Sequence, residues 1–175
     1  MTTKVLGKNI SYSTPRGLKI LDKIERNQSA VNYGVDIWNI YDFLFRDKNN
    51  LPKLKVLEIS IPSTSKYIVE SKSMKLYLND FYNMSFNKDS LLATRIKKDL
   101  EKIINSDIKV RFINNFDQEP SHLVINNTTL VKSKSDSLLK FNGFRSICPV
   151  TSQPDFANIY IYSDKQLSIN WLRKY

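Results

Sequence analysis

The chain has a single cysteine, Cys148, and it opens the run Cys148-Pro149-Val150-Thr151-Ser152-Gln153-Pro154-Asp155. A thiolate is a strong nucleophile, and a carboxylic acid nearby can donate or accept the proton that covalent chemistry requires. The competing reading is plain: most free cysteines are small buried apolar residues, and an aspartate beside a proline is a common turn residue. A second candidate is Val69-Glu70-Ser71-Lys72, where a loop enters a helix. A helix N-terminus presents unpaired N–H groups and partial positive charge, so Ser71 and Lys72 can hold phosphate there. The Glu70 carboxylate can accept two hydrogen bonds from a purine-like edge. Spacing alone favours a capped amphipathic helix with solvated lysines. His122 is the sole histidine. It follows Pro120-Ser121, reads as a surface or strand-edge residue, and takes no role. With one histidine and one cysteine, neither a metal cluster nor a cysteine–histidine relay assembles.

The composition bounds what these residues can serve. A length of 175 residues suits one domain, or one domain and part of a second. The hydrophobic fraction of 41% supplies a core, and the charged fraction of 25% is ordinary. The net charge of +10 favours anionic partners such as nucleotide phosphates or nucleic acid, although scattered lysines also serve solubility alone. A lone cysteine makes no internal disulfide, which fits a reducing compartment. The N-terminus lacks a signal-like apolar stretch and no segment approaches a membrane span, so the expected location is cytoplasmic. Only four glycines are present, in neither a dinucleotide-binding nor a P-loop pattern.

The elements that must position these side chains follow from periodicity. Residues 1 to about 34 read as an irregular arm, and Val35 to Phe45 as either extended or helical. Asp47-Lys48-Asn49-Asn50 is a turn. Leu57, Ile59 and Ile61 alternate with polar residues in a strand over Leu54 to Ile61. Met74, Tyr77, Leu78 and Phe81 recur at helical spacing. A second helix runs from a capping Asp89 to Ile104, with an apolar stripe of Leu92, Ile96, Leu100 and Ile103. Further strands are expected around Ile108 to Phe112, Leu123 to Ile125, and Ile159 to Tyr162. A linker is expected around 132–137, and a helix start near 169–175. The order implies an α+β fold, an antiparallel sheet with its helices on one face.

Two segments carry a family resemblance. Val69-Glu70-Ser71-Lys72-Ser73-Met74-Lys75-Leu76-Tyr77-Leu78-Asn79 closely resembles the signature of the NADPH-dependent 7-cyano-7-deazaguanine reductases, the nitrile-reducing QueF family of queuosine biosynthesis. Cys148 to Phe156 resembles that family's catalytic segment. Gly34 to Asn39 and Ser137 to Lys140 are similar to landmarks of its two-module branch. The resemblance implies a tunnelling fold: an arm over 1–53, a first module over 54–130, then a linker and the start of an incomplete second module over 131–175. It implies that Cys148 attacks a nitrile carbon to form a thioimide and that Asp155 protonates the nitrogen. It further implies that Val69, Glu70 and Ser71 line a base pocket, that Ser71 and Lys72 contact NADPH, and that the chain is a homo-oligomer without a direct RNA or membrane partner. The family's downstream histidine–glutamate and arginine–glycine pairs have no counterpart in this sequence. A reading of another class is a non-catalytic tunnelling-fold module that binds nucleotide or RNA.

Overall fold

The computed structural model describes residues 4–9, 17–26, 33–125, 138–148 and 150–162. The chain divides into two compact units, Met1–Phe116 and Asp117–Tyr175. The expected linker at 132–137 and helix start at 169–175 lie outside the described residues.

The first unit contains β1 (Lys23–Glu25), β2 (Val35–Asp47), β3 (Pro52–Pro62), β4 (Tyr67–Val69), α1 (Ser71–Asn79), β5 (Ser85–Phe86), α2 (Asp89–Ile104) and β6 (Lys109–Ile113). The segment with two possible readings, Val35 to Phe45, is extended. It folds back on β3 through the expected turn, where the Asp47 carboxylate accepts the N–H groups of Asn49 and Leu51 at 2.8 and 3.0 Å. Asn50 takes the left-handed conformation, φ 63°, that asparagine tolerates. The main sheet has the order β5-β2-β3-β6. β2–β3 and β3–β6 are antiparallel, while β5 runs parallel to β2. A short β1–β4 pair stands beside it.

Register decides which face is apolar, because side chains alternate along a strand. Ile40 lies opposite Leu57 and Trp38 opposite Ile59, so Leu57, Ile59 and Ile61 share one face, and all three are fully buried. Both helices cover that face. α2 contributes Leu92, Ile96, Leu100 and Ile104, each fully buried, and α1 contributes Met74, Tyr77 and Leu78. Each such side chain contributes about 1.5–3 kcal/mol on leaving water. The Tyr77 hydroxyl donates to Asp99 of α2 at 2.8 Å. Burial, followed by that bond, pushes the Tyr77 phenol well above its ordinary range.

The second unit contains β7 (Leu123–Ile125), β8 (Leu138–Ile147) and β9 (Pro154–Tyr162) in the order β7-β8-β9. β7 is parallel to β8, and β8 is antiparallel to β9 with a register shift between Asn142 and Phe144. Gly143 occupies that shift at φ 95°, a conformation that side chains oppose. Among the described residues of this unit, Ile125 and Leu139 are the buried apolar ones.

Several expectations change. The fold is α+β, yet its sheets are mixed, since β5 and β7 pair in parallel. The arm expected over 1–53 contains β1 and β2, and β2 pairs along β3 and so belongs to the first unit. The expected boundary at 130 moves to 116/117, because β7 pairs with β8. Asp89 is not the cap of α2. Lys88 holds that position without a side-chain bond, and Asp89 instead pairs with Lys53 and Lys55 of β3 at 2.7 and 2.5 Å. Ile104, not Ile103, completes the buried stripe, as strict spacing from Leu100 requires.

Ile96→Ala is expected to cost about 2–5 kcal/mol by opening a cavity under α2. Tyr77→Phe, which leaves Asp99 with Arg95, is expected to cost only about 1 kcal/mol. Urea unfolding measures both, and equal losses would show that the hydroxyl bond, not the apolar stripe, fastens the helices.

Candidate active site

Glu70 is the residue before α1 and sits in extended backbone at φ −70°, ψ 130°. Its carboxylate is turned into the helix. One oxygen accepts the Lys72 N–H and the other the Ser73 N–H, each at 2.8 Å. The Glu70 carbonyl accepts from Met74 N–H at 2.9 Å and from the Ser73 hydroxyl at 2.8 Å. Its own N–H donates to the Asp22 carbonyl at 2.9 Å. The residue is 1% exposed. Glutamate is not a favoured cap, but here it satisfies the donors that a helix start leaves unpaired.

This changes what the helix start can do. The N–H groups expected to cradle phosphate are consumed by a carboxylate, whose charge opposes an anion. Val69 and Glu70, expected to line a base pocket, are both buried at 1%. Ser71 and Lys72 do reach open space. Both line a groove of about 640 Å³ between α1 and β2. The α1 side of the groove carries Ser71, Lys75 and Asn79 at helical spacing, and Tyr82 lies beyond them. The opposite wall is Trp38 to Leu44. The Lys72 ammonium donates to the Lys8 carbonyl at 2.6 Å.

The β2 wall carries a bulge. Ile40 faces Leu57 and Phe43 faces Lys55, so Tyr41 and Asp42 share the space of one partner residue. The sequence carried a signal for the α1 side in the four-residue spacing of Ser71, Lys75 and Asn79. It carried none for Trp38 or Asp42, which β2 pairing brings to the groove.

The second unit holds the thiol. β8 and β9 form a hairpin whose last pairs are Ser146 opposite Asp155 and Ile147 opposite Pro154. Cys148 follows at the mouth of the loop. Its N–H donates to the Gln153 carbonyl at 2.9 Å, and its carbonyl accepts the Ser152 N–H at 2.9 Å. Ser152 closes this turn in the left-handed region at φ 58°. The register places Ser146 and Asp155 on one face of the hairpin, and Cys148 continues that face. The Cys148 thiol is half-buried. The Thr151 hydroxyl, then the N–H groups of Thr151 and Val150, hold it below its ordinary value, against partial desolvation and the Asp155 charge. Main-chain N–H groups that converge in a turn form a nest for an anion. Thr151 and Val150 are the supporting groups that the sequence reading missed.

His122 stands away from the thiol's groups. Its Nδ1 is 2.8 Å from the Pro120 carbonyl, and its ring meets Tyr160 edge-on at 5.7 Å. Glu119 nearby bonds both Lys140 and Tyr160. The arrangement ties the segment before β7 to the sheet.

A lowered thiol value means that thiolate persists to lower pH. Alkylation of Cys148 by iodoacetamide is therefore expected to reach half its maximal rate below the ordinary cysteine midpoint of about 8.5. Thr151→Val is expected to move that midpoint upward. A wild-type midpoint at or above the ordinary value would contradict the nest.

A sequence profile described as "Nitrile reductase, 7-cyano-7-deazaguanine-reductase N-term" matches residues 9–112, which fall within the first unit. Proteins named NADPH-dependent 7-cyano-7-deazaguanine reductase resemble most or all of the chain. One from Rickettsia bellii is 32% identical over 205 aligned positions, covering 100% of this chain and 75% of that protein. One from Coxiella burnetii is 31% identical, covering 97% and 72%. One from Buchnera aphidicola is 34% identical over 162 positions, covering 78% and 60%. A profile match over most of the chain, with relatives that align along its length, places this chain in the 7-cyano-7-deazaguanine reductase family.

Proposed function

We propose that the protein reduces the nitrile of 7-cyano-7-deazaguanine to the aminomethyl group, with NADPH as reductant, in queuosine tRNA modification. The observation that carries this reading is the Cys148 thiol, held toward thiolate by Thr151 and Val150, on the same hairpin face as Asp155. A binding module has no use for an activated, accessible thiol. Two helices on one sheet face support the finer assignment of the first unit to the tunnelling fold. Exposed Val35 and Ile37 on the opposite face of β2 support self-association. Among the described residues no helix is long and apolar enough to cross a membrane, and with the lone cysteine this supports a cytoplasmic setting.

The nitrile carbon is electrophilic. The thiolate sulfur forms a bond to it as one π bond of the nitrile opens, and Asp155 delivers a proton to the nitrogen, which gives a neutral thioimide. The groove of the first unit fits a dinucleotide. It offers two lysines for phosphates, a serine and an asparagine for polar edges, and Trp38 and Tyr82 as ring surfaces. NADPH would supply one hydride per molecule, so two molecules bound in turn would carry nitrile to amine. Ser71 and Lys72 contact it, and Glu70 acts as a positioning residue that fixes both at the start of α1. Val150 and Thr151 hold the sulfur before attack and receive its charge again on release.

Intact-mass analysis after mixing the protein with 7-cyano-7-deazaguanine tests this directly. One added substrate mass is expected for wild type and none for Cys148→Ala. Asp155→Asn is expected to bind substrate yet turn over about 10²–10⁴-fold more slowly. A wild type that forms no adduct and consumes no NADPH would overturn the proposal, and unchanged turnover in Asp155→Asn would remove that residue from the acid role.

A further inference from the structure

At the end of the groove away from Ser71, Tyr82 keeps 44% of its surface exposed and lines the cavity. The Arg46 guanidinium lies over its ring, 5.6 Å from the centroid. Arg46 is held in place by the backbone. Its N–H donates to the Met84 carbonyl at 3.0 Å, and it pairs with Ser85 where β5 joins β2. Of its side-chain donors, one bonds the Asn50 carbonyl at 3.2 Å. No carboxylate pairs with it among the described residues. With respect to the described residues, most of its five donors therefore remain for a ligand. Ser71 and Tyr82 are on the order of 17 Å apart along the helical path, so the two ends of the groove can hold different parts of one extended molecule.

We propose that Tyr82 and Arg46 form the subsite for the 2′-phosphoadenosine end of the dinucleotide, which makes Arg46 the residue that selects NADPH over NADH. The inference rests on the cofactor reading above. The adenine stacks on the Tyr82 ring, and the Asn79 amide lies beside it for its polar edge. The 2′-phosphate takes the Arg46 fork, whose planar donors match two phosphate oxygens. The pyrophosphate lies back toward Lys75 and Lys72. NADH lacks the 2′-phosphate and leaves Arg46 in its present bonds, so it loses the charge-assisted contact without any clash.

The test is equilibrium binding of NADPH, NADH, adenosine 2′,5′-bisphosphate and 5′-AMP to the full chain by calorimetry, with thermal melting to establish that each variant is folded. Wild type is expected to prefer each 2′-phosphorylated ligand over its partner. Arg46→Ala is expected to lose about 10- to 100-fold in affinity for NADPH and for the bisphosphate, and to leave NADH and 5′-AMP within about twofold. Arg46→Lys retains charge without the fork, and an intermediate affinity is expected. Tyr82→Ala is expected to weaken both dinucleotides about 5- to 100-fold, as loss of a stacked base does, with their ratio unchanged. An Arg46→Ala protein that weakens NADPH and NADH alike, or neither, overturns the subsite while the cofactor reading stands. A wild type that binds neither dinucleotide overturns both.

Discussion

A carboxylate with 1% exposure must have its charge met by donors, because water cannot meet it. At Glu70 the donors are the main-chain N–H groups of Lys72 and Ser73, and the arrangement constrains everything around it. The helix has to start at Ser71, and its polar stripe has to face away from the Met74 and Tyr77 side. Asp22 is drawn in as well, since its carbonyl takes the Glu70 N–H and its N–H donates to the Ser73 hydroxyl at 3.1 Å. The groove beside α1 exists because this joint sets the angle and phase of the helix against β2.

The second unit uses the same chemistry to a different end. Cys148 also gathers main-chain N–H groups, from Val150 and Thr151, around an atom that can carry negative charge. Glu70 is sealed and fully engaged, so its charge holds structure. Cys148 is half-buried at a loop mouth, so its thiol can be reached from solvent. Backbone donors thus hold a buried carboxylate in the first unit and a partly exposed thiol in the second, and the proposed function gives only the thiol a covalent role.

Much of this was legible as period. β3, α2 and β6 repeat cleanly because each turns one face to the core, and the structure has them near the expected bounds, whereas β9 begins at Pro154, five residues before the expected Ile159. β8 was not legible. Its bulge at Gly143 breaks the alternation between Phe141 and Phe144, so no two-residue period runs through it. The end of α2 differed by one residue, Ile104 for Ile103, because both are apolar and only the helix phase separates them. At the candidate site, Cys148 and Asp155 are close in sequence and a single hairpin carries both, so their proximity could be read from the chain. The groove could not, because its β2 wall arrives through long-range pairing and a bulge. Glu70, expected at a ligand edge, bonds the helix start instead: a carboxylate before a helix serves a ligand edge or the helix itself, and only burial decides which.

The first-turn amides of a helix ordinarily exchange fast, since they lack an intrahelical partner. Hydrogen exchange at the Lys72 and Ser73 amides, compared between wild type and Glu70→Gln, therefore tests the joint most directly. Both amides should be protected in wild type, and they should lose about 10- to 100-fold of that protection in the variant. Fast exchange at these two amides in wild type, or protection that survives the substitution, would contradict the account.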